Sequence, residues 1–573
     1  MKRLFSVLFL VPAVLLAGTV TRVLNFDQAE LHFSEYQGYD VIELARGFVI
    51  PDPGKPAIPE LTVTFVVPAR SNVTGITVIP VQTVEVPGTF NLCPSQPARP
   101  LSAEEKPAFV QPDPEVYASD NLYPANLHRD FTTGTASGFR LVAVNIFPLQ
   151  YRPGQARLFL HTRLRISISY EANALHCQML TTQQVETAEA GLRSLVVNPC
   201  DLDKFAPLSA ETDQAEIEYL VITGDRLAPE FEPFLAYKTG RGLRTDMRTV
   251  EWINRNYPGR DLQEKIRNLI IDYYEHRGLS YVLLAGDNPV VPSRKIRVWV
   301  NNTRGDIPTD LYYGDLDYSW DSNHNNLFGE MSDSVDLYAD VTVGRASVDN
   351  ATEVLTFISK VRTYEENPAT DYIKRALFPS GWLWRAKGYH GKFVNDSIAN
   401  LTPSGWTDIK MENPSGCLVV ADSFDNGFAI FDPSGHGNEN GVYDESGTSI
   451  YTSGVASRQT NDRRFTIMTS LACTPGNFEA EDCIAEHAHN CPTGGCIGVM
   501  MNSRYGWGTP PLMGPSERLC IRFYDYFLNR NEYLLGSCHD QSREAYAGFA
   551  QSNSLWRWCM TEFNLLGDPT LDI

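Results

Sequence analysis

Apolar and polar positions alternate through much of the first third of the chain. The stretches Leu61–Val67, Ile76–Ile79 and Arg157–Tyr170 have a period of two and are rich in β-branched residues, which is typical of strands with one buried face. Proline and glycine interrupt the pattern at short intervals. Residues 19–177 are therefore predicted to form an antiparallel β sandwich, and they contain no cluster of catalytic residue types.

The alternation is lost between residues 178 and 215. Threonine, glutamine, acidic residues and serine accumulate there, a composition that is typical of exposed connecting segments. We therefore predict a linker over residues 178–215, between two separately folded parts of the chain.

From Glu216 onward, short continuous apolar runs alternate with segments of helical spacing. Ala228–Tyr237 and Leu262–His276 have the apolar spacing of helices. The runs that indicate buried strands are Tyr219–Asp225, which ends in a turn, Tyr281–Asp287, Val341–Gly344, Phe428–Phe431, Phe465–Met468 and Cys496–Met501. Strands that alternate with helices favour a mostly parallel sheet flanked by helices. This α/β domain is predicted over residues 216–573.

Two of the predicted strands lead into residues that can perform nucleophilic chemistry. One is followed by His436 and Gly437, and the other leads into Ala472 and Cys473. A thiol nucleophile needs an imidazole that takes its proton or holds it as a thiolate. In parallel sheets, sites form beyond the carboxyl ends of the strands. The pair therefore indicates a cysteine peptidase, although a buried structural thiol and a surface histidine would produce the same residues.

The first residues have the features of a secretory signal. Lys2 and Arg3 precede the apolar stretch Leu4–Leu16, and the small residues Ala17 and Gly18 follow it. Residues 1–18 are therefore predicted to be a signal peptide. We expect a secreted protein, which is extracellular, at the cell surface or periplasmic, and which does not insert into the membrane once the signal is removed.

Length and charge narrow the function classes. A chain of 573 residues suits two or three domains. The formal net charge of −21 disfavours nucleic acid as a partner, because a polyanion is repelled by an acidic surface. A protein or peptide substrate remains compatible with that charge.

Eleven cysteines would allow up to five disulfides if Cys473 stays free. Export makes such bridges possible. A second reading is a zinc site, because five thiol and imidazole groups lie close together in sequence at Cys483, His487, His489, Cys491 and Cys496. Their irregular spacing and an oxidising environment favour disulfides.

The loop that runs from Gly314 to Glu330 is dense in oxygen ligands. Asp321, Asn323 and Asn325 take the first, third and fifth positions of a calcium loop, whereas Ser332 stands at the twelfth, where a bidentate acid is usual. An Asx-rich turn that satisfies its own backbone is the alternative. The candidate ligands of a structural Ca²⁺ are Asp315, Asp317, Asp321, Asn323, Asn325 and Glu330.

An ordered set of short motifs in residues 216–573 resembles the gingipain family of cysteine peptidases, whose fold is caspase-like. The matching stretches are Tyr219–Thr223, Lys238–Thr245, Tyr281–Asp287, Val343–Arg345, Ser434–Gly437, Ala472–Cys473, Cys483–Glu486, Pro492–Gly494 and Leu566–Leu571. The β-rich segment 19–177 is similar to the propeptide of that family. The resemblance thus implies a zymogen, inhibited by its own propeptide, with Arg193 as one candidate site of the activating cut.

The resemblance also assigns roles to single residues. It implies that Cys473 is the nucleophile and His436 the catalytic histidine, and that the backbone amides of Gly437 and Cys473 hold the oxyanion. It implies that Trp507 lines the pocket for the side chain before the scissile bond. Members of the family carry structural calcium, which supports the calcium interpretation of the acidic loop.

One segment departs from the family pattern. Arginine-specific relatives have a carboxylate at the base of the specificity pocket and another near the histidine, whereas residues 379–392 of this chain contain none. The preferred residue before the scissile bond and the third catalytic group therefore stay open. Two rival functions also stay open: an inactive relative that acts as a secreted binding or assembly module, and a transpeptidase that acts on exported proteins.

Overall fold

The computed structural model of the protein describes residues 17–102, 108–173, 179–209, 216–480 and 482–573. The signal peptide predicted over residues 1–18 lies outside these ranges except for Ala17 and Gly18, which begin the first strand. We refer to residues 17–173 as the N-terminal domain and to residues 216–573 as the C-terminal domain.

The N-terminal domain is built from strands. They are β1 (Ala17–Asn25), β2 (Leu31–Tyr36), β3 (Tyr39–Leu44), β4 (Leu61–Val67), β5 (Ser71–Val86), β6 (Arg99–Pro100), β7 (His128–Ala136), β8 (Phe139–Ile146), β9 (Leu149–Arg152) and β10 (Arg157–Ala172). One short helix, α1 (Pro114–Tyr117), accompanies them. Strands β1, β10 and β5 form one antiparallel sheet, with β9 paired to β10, and β4, β8 and β7 form a second.

Alternating residues of β10 carry the core of the first sheet. Leu164, Ile166 and Ile168 are fully buried, whereas the intervening residues Arg163, Arg165 and Ser167 are less buried or exposed. This is the period-two pattern of the sequence, because successive side chains of a strand point to opposite faces. The predicted all-β architecture of this region is confirmed.

The segment predicted as an exposed linker is partly helical. It contains α2 (Thr182–Leu195) and α3 (Leu202–Phe205). Thr181 and Gln184 form a capping box at the start of α2, and the Gln184 side chain also donates to the carbonyl oxygens of Tyr274 and Leu279. Residues 179–209 are thus more ordered than their composition indicates, because a polar residue can anchor a helix through hydrogen bonds that leave no apolar periodicity. That residues 178–215 connect the two domains as a linker and activation segment stays a prediction.

The C-terminal domain begins with strands that alternate with helices. Its elements as far as residue 424 are β11 (Tyr219–Thr223), α4 (Ala228–Gly240), β12 (Thr245–Thr249), α5 (Val250–Asn256), α6 (Leu262–Arg277), β13 (Tyr281–Ala285), β14 (Arg294–Val300), β15 (Thr303–Thr309), β16 (Thr342–Ala346), α7 (Ala351–Glu366), β17 (Arg375–Ser380), β18 (Trp382–Trp384), β19 (Tyr389–His390), α8 (Lys392–Ala399), β20 (Thr407–Glu412) and α9 (Cys417–Phe424).

The remaining elements complete the domain. They are β21 (Ile430–Phe431), β22 (His436–Asn438), β23 (Gly441–Tyr443), β24 (Ser449–Thr452), α10 (Ser453–Ala456), β25 (Thr466–Ser470), α11 (Ile484–Asn490), β26 (Cys496–Asn502), β27 (Trp507–Gly508), α12 (Pro515–Asn529), α13 (Leu535–Glu544), α14 (Ala547–Ala550), α15 (Ser554–Glu562) and β28 (Phe563–Leu566).

A ten-stranded sheet organises this domain. Its strand order is β12-β11-β13-β16-β28-β26-β25-β21-β17-β20. Neighbouring strands are parallel except β26 and β28, which are antiparallel. Strands β11, β25 and β26 are buried along their whole length, as expected for a sheet covered on both faces. The predicted mostly parallel sheet is confirmed.

The two domains share an apolar core. Phe48 of the N-terminal domain packs edge-on against Trp556 of α15, with ring centroids 4.8 Å apart, and Trp556 in turn stacks on Tyr546 at 4.2 Å. All three side chains are buried. The N-terminal domain is thus fixed on the helical surface formed by α13, α14 and α15.

The ten cysteines in the described ranges are free thiols. The expected disulfides are not found among them, and Cys177 lies outside the described residues. Most of these thiols are buried, and they pack as small apolar side chains. Within the same ranges, we find no helix with the length and apolarity needed to cross a membrane.

Candidate active site

Two neighbouring parallel strands, β21 and β25, bring the candidate residues to one edge of the sheet. Ile430 is paired with Ile467, and Phe431 with Met468. The chain after β21 leads to His436, and the chain after β25 leads to Cys473. The Ser470 hydroxyl donates to the carbonyl oxygen of Pro433 at 2.6 Å and so joins the two loops.

The loop that carries Cys473 is held by a side chain from the next strand. The Asn502 amide donates to the carbonyl oxygens of Leu471 and Ala472, at 2.9 and 3.0 Å. Thr474, directly after the cysteine, adopts a left-handed conformation with φ of 61°. Such a strained position is maintained only where the surroundings determine it. Together these contacts fix the direction of the Cys473 side chain.

Gly437 lies against the backbone of Cys473. A Cβ atom at Gly437 would lie 2.7 Å from the carbonyl oxygen of Cys473 and 3.1 Å from its amide nitrogen. Only glycine permits this approach. The structure thus brings the backbone of Gly437 next to that of Cys473, the pair to which the resemblance assigns the oxyanion.

Both ring nitrogens of His436 face carbonyl oxygens. Nε2 lies 2.7 Å from the oxygen of Leu383, and Nδ1 contacts the oxygen of Leu101. A carbonyl oxygen can only accept, so a ring nitrogen that forms a hydrogen bond to either oxygen must be the donor. The ring of Trp384 packs edge-on against the imidazole, with centroids 6.3 Å apart.

The N-terminal domain supplies the peptide that covers the thiol. Strand β6 pairs antiparallel with β27, with Pro100 opposite Trp507. The amide of Leu101 donates to the Gly506 oxygen at 2.7 Å, and the Cys473 sulfur lies 3.6 Å from that same oxygen. Ser102 lies within hydrogen-bonding range of the thiol. Burial under this segment, with a smaller contribution from Glu562, raises the pKa of Cys473 to about 12.

Trp507 lies at the same place as part of β27. It is 1% exposed, its amide donates to the Ser516 hydroxyl at 3.0 Å, and its ring packs edge-on against Trp558 at 5.5 Å. The structure therefore brings together all four residues predicted for the site: His436, Gly437, Cys473 and Trp507.

The sequence did not reveal three groups at this site, which are the Leu101–Ser102 peptide, the Leu383 carbonyl and the Asn502 side chain. Every residue has a backbone carbonyl, so the residue type at a position does not show that its carbonyl has a role. The proline at position 100 was a usable signal for the short strand before Leu101, because the residue that precedes a proline favours the extended conformation that a strand added to a cleft requires.

The candidate calcium ligands fall into two groups. Asp315 and Asp317 converge with Asp336, and one carboxylate oxygen of each lies within 4.8 Å of the others. Asp315 and Asp336 are buried, and Oδ1 of Asp315 has no hydrogen-bond partner among the described residues. Burial raises the pKa of Asp315 to about 6.

The other predicted ligands form hydrogen bonds within their own loop. The Asp321 carboxylate pairs with Arg260 and accepts the amide of Asn325 at 2.9 Å. The Asn325 side chain donates to Glu330 at 2.6 Å, and that of Asn323 is 3.4 Å from Glu330. This is the self-satisfied Asx turn that the sequence left as the alternative. Asp336 was missed because it lies beyond the loop.

The alternative zinc cluster does not assemble. Within the described ranges, no converging set of three ligands includes Cys483, His487, His489, Cys491 or Cys496. The buried ammonium of Lys360 donates to the carbonyl oxygens of His489 and Cys496, at 2.7 and 3.3 Å. Burial, with a contribution from Lys360, lowers the pKa of His489 to about 3. A buried positive charge at this place opposes a metal cation.

The chain is similar in sequence to known peptidases. Residues 212–573 match Peptidase family C25, and residues 18–188 match the propeptide of that family. Gingipain R2 of Porphyromonas gingivalis is 24% identical over 413 residues, which are 69% of this chain and 51% of the relative. Lys-gingipain of the same species is 22% identical over 515 residues, 84% of this chain and 27% of the relative. The chain thus spans about half the length of the first relative and about a quarter of the second.

The fold also resembles a solved structure. The crystal structure of the Arg-specific cysteine proteinase gingipain R has a TM-score of 0.50 and 22% identity, and the match covers 63% of this chain and 79% of that one. This likeness supports the fold alone, and the family rests on the matches to the peptidase and propeptide sequences. The chain belongs to peptidase family C25 and carries the propeptide of that family.

Proposed function

We propose that the protein is a secreted cysteine endopeptidase that is made as a zymogen. The observation that carries this proposal is the position of the Leu101–Ser102 peptide, which lies at the candidate thiol and imidazole and directly follows the strand that pairs with the cleft. A thiol covered by a peptide of the chain's own propeptide favours a peptidase over a binding module without chemistry.

In the proposed reaction, the Cys473 sulfur attacks the carbonyl carbon of the substrate. His436 accepts the thiol proton and passes it to the leaving amine, and the amides of Gly437 and Cys473 stabilise the oxyanion. The carbon–nitrogen bond breaks as a thioester forms. Water then hydrolyses the thioester, which releases the acid and restores the thiol.

The Leu383 carbonyl supplies the group that orients the histidine in this scheme. Its oxygen accepts from Nε2 of His436, which leaves Nδ1 as the base that faces the cleft. A nucleophilic site needs a third group to hold its base in one tautomer, and a backbone carbonyl can do this without a charge. The loop 379–392 therefore needs no carboxylate for this purpose.

The same geometry gives a reason for latency. While Nδ1 is held against the Leu101 oxygen, this nitrogen is engaged by the propeptide and is not available to accept the thiol proton. The propeptide would thus disable the base as well as fill the cleft. Its removal would free Nδ1 and expose the thiol.

We further propose a structural Ca²⁺ at Asp315, Asp317 and Asp336. The convergence of the three carboxylates and the unpartnered Oδ1 of Asp315 support a cation there, since hard cations prefer carboxylate oxygens. The site lies at the domain boundary, because the amide of Thr135 donates to the Asp336 carboxylate at 2.6 Å. An ion would supply charge neutralisation and rigidity, while the chemistry stays with Cys473 and His436.

Cleavage of a diverse fluorogenic peptide library tests the proposed activity. Intact protein and protein nicked by limited proteolysis are compared, each beside Cys473→Ala and His436→Ala variants. We expect activity only after nicking, and we expect both variants to lose at least about 1,000-fold in kcat/KM. A folded, nicked protein whose activity survives in Cys473→Ala would overturn the assignment of the nucleophile.

A further inference from the structure

A propeptide segment that lies in the cleft indicates which residue the enzyme prefers before the scissile bond, given the proposed function. Residues 99 and 100 cross the cleft as an added antiparallel strand, and Leu101 follows them at the start of a turn. Arg99 is opposite Gly508, Pro100 is opposite Trp507, and the Leu101 amide donates to Gly506. Main-chain pairing of this kind is how extended peptides bind to a sheet edge, with side chains filling pockets at alternate positions.

The side chain of Leu101 fills a pocket whose walls include two glycines. Leu101 is 0% exposed. A Cβ atom at Gly508 would lie 2.8 Å from Cδ2 of Leu101, and one at Gly506 would lie 3.1 Å from Cδ1. The same Cβ at Gly508 would lie 3.3 Å from the ring of Trp384. The space occupied by the leucine methyl groups therefore depends on the absence of side chains at residues 506 and 508.

The reacting groups lie at the bond that follows this leucine. His436 contacts the Leu101 carbonyl oxygen, and Ser102 lies within hydrogen-bonding range of the Cys473 thiol. Leu101 thus occupies the position before the bond that faces the nucleophile.

The buried carboxyl near this thiol does not favour a basic residue. Glu562 is 0% exposed and accepts from the Trp558 indole at 3.1 Å. Burial raises the pKa of Glu562 well above its ordinary value. A carboxyl group whose charged form is disfavoured by burial is a poor partner for a guanidinium or an ammonium.

We propose that the pocket beside Cys473 selects leucine before the scissile bond, and that the Leu101–Ser102 peptide is the enzyme's own bound example of that preference. Substrates of the form Arg-Pro-Leu followed by a small residue match the whole bound segment. Cleavage follows the thioester route given above, with water as the only co-reactant.

Covalent labelling tests this preference. The full-length protein is nicked between residues 178 and 215, separated from released fragments, and treated with Ala-Arg-Pro-X acyloxymethyl ketones in which X is leucine, arginine or lysine. Mass spectrometry follows the modification of Cys473, and Cys473→Ala gives the background. We expect the leucine probe to react at least about tenfold faster than the other two.

The outcomes separate the two proposals. Equal or faster labelling by the arginine or lysine probe overturns the leucine preference and leaves a working peptidase. If no probe labels Cys473 and iodoacetamide also fails to alkylate it in the nicked protein, the proposed function fails and the preference fails with it.

A glycine substitution provides a second measurement. Gly508→Ala narrows the pocket, and we expect the ratio of labelling rates for leucine and alanine probes to fall by about tenfold. Gly240→Ala is the matched control, because nothing lies within 4 Å of the Cβ that it adds. An unchanged ratio in a folded Gly508→Ala protein would overturn the assignment of this pocket.

Discussion

At the scale of single residues, burial controls the chemistry of Cys473. Its thiol is completely buried in the intact chain, and burial raises its pKa to about 12. The thiolate is the reactive form, so a raised pKa means that less of it is present at any pH below about 12. We expect Cys473 in the intact protein to react with iodoacetamide at pH 8 about 1,000-fold more slowly than an unperturbed thiol.

The rate at which Cys473 is alkylated should increase with pH. Because deprotonation is incomplete up to about pH 12, the alkylation rate of Cys473 should rise about tenfold per pH unit between about pH 9 and pH 11. The exposed Cys200 in the same sample is the internal control for the reactivity of the reagent. Peptide mass spectrometry measures both, and equal rates in the intact chain would contradict the expectation.

Asn502 provides a second test at this scale. Its amide holds two carbonyl groups of the loop before Cys473, so Asn502→Ala should lower kcat by about 10- to 100-fold with little change in KM. It should also cost about 1–3 kcal/mol in unfolding free energy, because two buried carbonyls lose their donors.

Asn426→Ala is the matched control for Asn502→Ala. Asn426 also donates to two carbonyl oxygens, those of Asp422 and Ser423, but it does so at the surface. Kinetics of the nicked enzyme and urea unfolding check both variants. Equal losses of kcat in the two variants would show that Asn502 does not position the catalytic loop.

At the scale of elements, helix α2 decides whether the chain can be cut after Arg193. Arg193 lies in the last turn of α2, where it pairs with Glu189 and Asp203. A peptidase binds its substrate as an extended strand, and a helix does not present that shape. We therefore expect trypsin to leave the bond after Arg193 intact in the folded protein.

Gly191 offers a matched pair of variants. Proline inside a helix costs about 3 kcal/mol, so Gly191→Pro should open α2 and allow cleavage after Arg193. Gly191→Ala should stay resistant, because the nearest atom to an added Cβ lies 3.5 Å away and alanine favours the helix. Sequencing of the fragments identifies the cut, and rapid cleavage after Arg193 in the Gly191→Ala protein would contradict the prediction.

The elements also show what sequence patterns can predict. Strands β11, β13 and β25 were predicted to within two residues at each end, because each is a continuous apolar run that must be buried on both faces. The strand ends then predicted that His436 and Cys473 would meet. Helix α2 was missed, because side-chain hydrogen bonds from Gln184 anchor it and such bonds have no periodic signal.

At the scale of the whole molecule, contacts between the domains could not be predicted. Leu101 reaches the site through a strand of two residues, Arg99–Pro100, from a different domain. A segment so short has no periodicity, and no local pattern encodes its partner. For the same reason Asp336, which the chain brings to Asp315 through its tertiary fold, was not among the predicted calcium ligands.

Calcium binding should increase the thermal stability of the whole protein. We expect about 1 mM Ca²⁺ to raise the melting temperature of the intact, EDTA-treated protein by about 2–4 °C. Asp336→Asn should abolish the gain, and Glu330→Gln should retain it, because Asp336 converges with Asp315 and Asp317 whereas Glu330 bonds within its own loop. Scanning fluorimetry measures the shift. Loss of the gain in Glu330→Gln alone would assign the ion to the acidic loop.

The strand pairing of residues 99 and 100 with residues 507 and 508 is intramolecular. A tethered segment acts at an effective concentration in the millimolar range that is set by the chain and is the same in a dilute sample as in a crowded one. Dilution, which releases most reversible inhibitors, should therefore leave the uncut protein without peptidase activity. After the chain is cut between this segment and the C-terminal domain, the segment binds as a separate ligand. The fraction that dissociates then increases as the sample is diluted.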